Sequence, residues 1–277
     1  MDRGAHSPSP SQNLSGGLIR CSRAYFPGAL RIVSSLSAMS PPADKGVRLN
    51  RFLASCGIGS RRACDELITQ GRVEINGEII IDLATRVLPS DHVKFDGKLL
   101  REQSPLTLVL NNPRKFICTK DDPQGRPTIY ELLPKKFSKL NYVGRLDYES
   151  TGLILMTSSG ELTERLTHPR FHVEKEYAVH LDRPFDPDLT HKLLEGIHFS
   201  EGLAKAESVR FVSRRRLRVV LTQGYNRQIR RMFSKLGCKV DRLERIRIGT
   251  LTMPALSTGE YQILSPREIE AAATNPR

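Results

Sequence analysis

The spacing of apolar segments beyond residue 104 limits the fold more than any other feature. Residues 106–110, 153–157, 177–181, 208–212, 217–221 and 246–248 read as strands. Strands outnumber helices, and the hairpin-like connections are too short for regular βαβ crossovers, which need a dozen or more residues. A doubly wound parallel sheet is therefore excluded, and residues 104–277 are expected to form an α+β domain on a mainly antiparallel mixed sheet.

A different pattern precedes it. Leu49, Phe52, Leu53 and Cys56 fall at helical spacing, Gly57-Ile58-Gly59 is a turn, and Ser60 is a helix N-cap. The second helix, closed by Gly71, starts with Arg61 and Arg62, where free backbone amides can meet an anion. Asn76-Gly77 and Asp96-Gly97 between β-rich runs are type I′ hairpin signals. Residues 47–103 thus read as two helices on a small sheet, with Ser104-Pro105 as the boundary. Residues 1–46, rich in Ser, Pro and Arg, are expected to be disordered. They read either as an organellar transit peptide or as an extension upstream of a start at Met39; without an Arg-rich amphipathic stretch the second is favoured.

Charge narrows the partner. Lys and Arg number 43 against 30 acidic residues, giving +13, and residues 205–247 alone hold fourteen basic residues against Glu207, Asp241 and Glu244. A polyanion is favoured over a small neutral ligand. No apolar run is long enough to cross a membrane. Cys21, Cys56, Cys64, Cys118 and Cys238 form no C-x-x-C pair and read as reduced thiols of a cytosol-like compartment. Pro169 breaks the spacing of His168 and His172, so no metal site is expected. Dinucleotide, nucleoside-triphosphate and serine-hydrolase motifs are absent, and no cofactor is expected.

What remains is carboxylate chemistry on a basic background. Asp147, in Gly144-Arg145-Leu146-Asp147, sits in a loop flanked by core strands, either as a turn former or as a working group; spacing alone favours the turn. Ile229, Met232, Phe233 and Leu236 mark an amphipathic helix with Asn226 as N-cap and Gly237 as its stop. Arg227 and Arg231 point away from its apolar stripe, whereas Arg230 falls at the margin and needs a carboxylate or backbone acceptors; Asp147 is the carboxylate expected to pair with it. Tyr177 shares a strand face with Val179 and Leu181, which suits a core residue, although an aromatic there could also stack on an extruded base. Arg214-Arg215-Arg216 with Arg218 read as a solvated hairpin tip able to meet phosphates.

Taken together, these segments resemble the pseudouridine synthases acting on ribosomal RNA. Residues 48–95 resemble the S4-type RNA-binding domain that precedes the catalytic domain in this group. Gly144 to Asp147 followed by Ser150-Thr151-Gly152-Leu153, and Asn226 to Met232, resemble the motifs carrying the family's aspartate and arginine. Thr167-His168-Pro169-Arg170 also fits. The resemblance implies isomerisation of uridine to its carbon-linked isomer, with Asp147 as nucleophile, Tyr177 stacked on the target base and Arg230 as basic partner of the aspartate. It implies an apolar residue of the uracil pocket at Leu251. Arg51, Arg61, Arg62, Arg145, Arg227 and Arg231 are expected to contact RNA. The loop from Thr119 to Thr128 resembles that of a large-subunit enzyme, making 23S rRNA the expected substrate and 16S rRNA the runner-up; a non-catalytic rRNA-binding assembly factor is the competing class. A monomer in the bacterial cytoplasm is expected, with organellar import as the alternative.

Overall fold

In the computed structural model, which describes residues 46–102 and 104–276, β1 (Val47–Arg48) leads into α1 (Leu49–Ser55) and α2 (Arg61–Thr69). The expectations for disorder before residue 46, for Cys21 and for Met39 lie outside the described residues. Leu49 and Leu53 of α1 meet Cys64 and Ile68 of α2 in one small core. Ser60 caps α2, its hydroxyl accepting from the Ala63 N–H at 3.1 Å. One of the helix-start amides expected to meet an anion is therefore already taken. Next come β2 (Val73–Ile75), β3 (Glu78–Ile80), β4 (Arg86–Val87), β5 (Val93–Phe95) and β6 (Lys98–Leu99). An antiparallel sheet of order β3-β2-β5-β6 covers the helices, and β4 pairs with β1. Asn76 and Gly77 have φ of 51° and 92°, and Asp96 and Gly97 have 47° and 74°. Such pairs of positive φ match the right-handed twist of the strands they join.

The second sheet begins at β7 (Thr107–Asn112), followed by β8 (Asn141–Val143), β9 (Ser150–Thr157), α3 (Gly160–Thr167), β10 (Lys175–Leu181) and α4 (Thr190–Glu195). The chain continues through β11 (Ile197–Phe199), β12 (Gly202–Ala204), β13 (Ser208–Ser213), β14 (Arg216–Leu221), α5 (Gln228–Lys235) and β15 (Val240–Ile248). It closes with β16 (Leu251–Thr252), β17 (Tyr261–Ile263) and α6 (Pro266–Ala272). Nine strands form one sheet of order β13-β14-β10-β15-β9-β7-β17, with β8 on β9 and β16 on β15. Every pairing is antiparallel except β9 with β15. Two antiparallel halves are thus welded by one short parallel junction.

Packing explains the sequence pattern. Both faces of β9 are covered: Leu153 and Leu155 pack toward α3 and α6, Ile154 and Met156 toward the loops between β7 and β9. An unbroken apolar run results where alternation would otherwise be expected. In the other half Val179, Leu217 and Val219 lie under Ile229, Met232 and Phe233 of α5. Two boundaries differ from expectation. β15 has nine residues where three were expected, because arginines interrupt its apolar alternation and one of them, Arg245, is itself buried. Asn226 does not cap α5. Arg227, at φ 48°, takes the cap position, and the buried Gln228 side chain accepts from the Tyr225 N–H at 3.1 Å.

Candidate active site

The turn before β9 uses its backbone for structure and leaves a carboxylate over. Leu146 is buried, and its N–H donates to Cys118 Sγ at 3.4 Å while the thiol points back to the Leu146 carbonyl at 3.8 Å. The Ser150 N–H closes the turn on the Asp147 carbonyl at 2.8 Å. The turn reading of Asp147 thus holds for its main chain only. Among the described residues no hydrogen bond or ion pair engages its side chain, which lines a cleft of about 710 Å³.

Cations and an aromatic surround that carboxylate. Tyr177 lines the same cleft, half-buried, and packs between the cores of the two half-sheets. Arg245 is 2% exposed; its Nε donates to the Leu153 carbonyl at 2.7 Å, and its Nη2 is buried without a partner. Lys175, two residues before Tyr177 on the same strand face, lines the cleft as well. Burial, with Arg245 adding to it, lowers this amine to about 8. Leu221, Ile229 and Leu243 form the apolar wall.

Arg230 sits behind the cleft. The expected direct ion pair with Asp147 is not formed: Nη1 donates to the Val240 carbonyl at 2.7 Å and Nη2 to the Glu149 carbonyl at 2.9 Å. The two terminal nitrogens of this guanidinium at a core edge are held by backbone acceptors, one of them two residues past Asp147, while its Nε is buried without a partner among the described residues. Burial pulls Arg230 below the usual arginine range and Arg227 acts in the same sense, while Asp147 and then Glu149 oppose them through their charge. The helix-edge geometry read from spacing therefore holds, and the contact with the aspartate is electrostatic.

The other expected residues divide. Arg145 and Arg227 line the cleft. Arg231 does not: it forms a two-pronged pair with Glu201 at 2.7 and 2.9 Å, and its guanidinium lies 3.8 Å from the Phe199 ring centre. Arg51 and Arg61 line a separate hollow with Arg48, and Arg51 also approaches Glu161 at 3.5 Å; Arg62 is exposed at the start of α2. Leu251 belongs to the core beside Ile248 and Leu264 and does not line the cleft, because the short β16 turns it inward. The Thr119–Thr128 loop forms one rim, where Asp122 accepts from Arg126 at 2.8 to 3.0 Å and is held down to about 2 by that guanidinium.

Sequence reasoning missed Lys175, Arg245 and Cys118. The i, i+2 spacing of Lys175 and Tyr177 could have found the first. Arg245 was hidden among the basic residues around it.

A cleft with a free carboxylate, a half-buried tyrosine and buried cations, on this sheet and behind a two-helix module, defines the class. Residues 107–235 match the RNA pseudouridylate synthase family, and residues 47–93 match the S4 domain. The chain belongs to the RNA pseudouridylate synthase family. It is 35% identical over 243 residues to ribosomal large subunit pseudouridine synthase B of Pseudomonas aeruginosa, covering 83% of this chain and 63% of that protein. The same-named protein of Bacillus subtilis is 31% identical, over 80% of this chain and 94% of the relative. Ribosomal small subunit pseudouridine synthase A of Escherichia coli is 36% identical, over 80% and 98%. The chain spans 51% of the length of the Xylella fastidiosa large-subunit relative. A crystal structure of a pseudouridylate synthase superposes with a TM-score of 0.60 at 32% identity, covering 82% of this chain and all of that one.

Proposed function

We propose that this chain is a site-specific pseudouridine synthase of 23S ribosomal RNA, acting as a monomer in the bacterial cytoplasm and built from an RNA-gripping module and a catalytic module divided near Ser104-Pro105. The observation that carries the reading is the Asp147 carboxylate, unengaged in a cleft that also holds Tyr177. The guanidiniums nearby leave its side chain unpaired: Arg230 is bonded to the Val240 and Glu149 carbonyls and Arg245 to the Leu153 carbonyl.

In this reading the target uridine leaves its stack at a cost of a few kcal/mol. Tyr177 offsets part of that cost by stacking on the base. Asp147 attacks the nucleoside, the bond between the sugar and the ring nitrogen breaks, and the freed base rotates under the apolar wall of Leu221, Ile229 and Leu243. A carbon–carbon bond to the sugar then forms as the bond to the Asp147 carboxylate breaks and returns its electron pair to the carboxylate, the ring carbon gives up its proton and the ring nitrogen gains one. Atoms and electrons balance with no donor group. Arg145 and Arg227 meet phosphates at the cleft mouth, and Arg51, Arg61 and Arg62 hold RNA at the helical module, supplying affinity with little base discrimination.

The similarity to the E. coli small-subunit enzyme keeps 16S rRNA as a second reading. Carbodiimide mapping of pseudouridine in 23S and 16S rRNA, from cells lacking the protein and complemented with wild type or Asp147→Asn, tests both. Loss of one 23S site, restored only by wild type, is expected. Loss of a 16S site would move the substrate to the small subunit, and unchanged modification would leave an rRNA-binding assembly factor.

A further inference from the structure

The basic stripe of residues 205–247 does not all serve the cleft. On β10, Tyr177, Val179 and Leu181 face the core under α5, so Ala178 and His180 face the other way. Arg218 lies opposite Ala178 on β14 and opposite Arg210 on β13. Arg216 lies opposite His180, and Arg242 on β15 lies opposite His180 on its other side. Directly paired residues share a face, so Arg210, Arg216, Arg218 and Arg242 converge with His180 on the side of the sheet away from α5. None of these four arginines lines the cleft.

Their surroundings do not neutralise them. No hydrogen bond or ion pair engages any of the four among the described residues. Arg210, Arg216 and Arg242 are exposed. Glu244 shares the face opposite Ala178, and Asp241 acts on His180, but neither pairs with an arginine. Glu174 and Glu176 are occupied by Arg247, at 3.1 and 2.8 Å. Like charges placed directly opposite destabilise a sheet, as Arg210 and Arg218 do here. The arrangement costs stability, and an anion bridging the forks would offset that cost. Strands lie about 4.8 Å apart and alternate residues on one face about 6.6 Å apart, so the guanidiniums form a lattice that a sugar–phosphate backbone can follow.

We infer that this open sheet face is a second RNA-binding surface, gripping the phosphate backbone of a helical rRNA segment distinct from the one that delivers the target nucleotide to the cleft. The inference rests on the proposed function for the identity of the polyanion. Its test uses no substrate nucleotide: the full chain is titrated with an RNA duplex of about 20 base pairs containing only G and C, at several salt concentrations. Replacing all four residues (Arg210→Gln, Arg216→Gln, Arg218→Gln, Arg242→Gln) keeps their aliphatic stems. The variant should bind the duplex at least about tenfold more weakly at 0.1 M salt, with a slope of log affinity against log salt shallower by about 3, since each of the four lost phosphate contacts removes about 0.7 to 0.9. The pairs Arg210→Gln/Arg218→Gln and Arg216→Gln/Arg242→Gln should each give about half that change, which keeps the test open if the fourfold variant fails to fold. Unchanged affinity and slope would overturn the inference. So would a loss seen only with anionic phosphatidylserine vesicles, which would make the face a membrane contact. Because the duplex lacks uridine, these outcomes do not depend on whether the cleft forms pseudouridine.

Discussion

Arg245 stands directly across the ladder from Tyr177 and, over the parallel junction, directly across from Gly152. A single buried arginine thus ties the strand bearing the aromatic to the strand that follows the turn of Asp147. The junction tolerates no side chain at Gly152: φ is 101°, and a Cβ there would lie 2.3 Å from the Arg245 carbonyl oxygen and 2.9 Å from its amide nitrogen. Gly152→Ala should destabilise the chain by at least about 2 kcal/mol through backbone strain and strand separation. Thermal or urea unfolding checks this, and an unperturbed midpoint would mean the two halves are not welded here.

Asp147→Asn is nearly isosteric, and no partner is lost because the carboxylate has none among the described residues. Folding and RNA affinity should be preserved while pseudouridine formation falls at least about 1000-fold, as for loss of a nucleophile. Tritium release from labelled uridine, beside a binding titration, separates the two. Turnover near wild type would remove Asp147 from the chemistry.

Neighbouring arginines on one helix make a sharper comparison. Arg230 fastens α5 to the Glu149 carbonyl beside the turn of Asp147, whereas Arg231 is engaged with Glu201 and Phe199. Arg230→Ala leaves two carbonyls without their donor and lets the turn shift, and a displacement of about 1 Å can cost about 100-fold in rate. Arg231→Ala should leave kcat within a few-fold. Equal losses in single-turnover assays would refute the division.

How far the residues alone foretold this site follows from what local pattern can encode. The hairpin turns at Asn76-Gly77 and Asp96-Gly97, the Ser60 cap and the marginal position of Arg230 are set within a few residues, and spacing reveals them. The parallel meeting of β9 with β15 joins Ser150 to Leu243, and nothing near either residue announces the other. Arg245 escaped for the same reason, since an arginine in a charged run looks solvated until a distant strand buries it. Asp147 was ambiguous on local grounds because its main chain does form a turn; that its side chain lines a cleft depends on strands far away in the chain. Leu251 failed because an apolar residue near a site motif can as well belong to the core behind it.

Lys175 gives a pH test with two readouts of opposite sign. Burial, reinforced by Arg245, lowers its amine to about 8 in the fold, against about 10.4 in the unfolded chain. Below about 8 both states are protonated and the fold bears the full cost of the buried charge. Between about 8 and 10.4 the unfolded chain holds more protons than the folded one, so stability rises with pH across this window. The stability difference between wild type and Lys175→Met should therefore drift in favour of wild type as pH rises from 8 to 10. Activity should move the other way. Losing this positive charge from a cleft that takes up an anionic chain should lower wild-type kcat/KM as pH passes about 8, whereas Lys175→Met should start lower and stay flat over that range. Lys175→Arg, charged throughout, should keep its activity at pH 9. A fall in all three proteins would assign the limb to another group, and a fall confined to wild type would place the ammonium of Lys175 among the groups that hold RNA in the cleft.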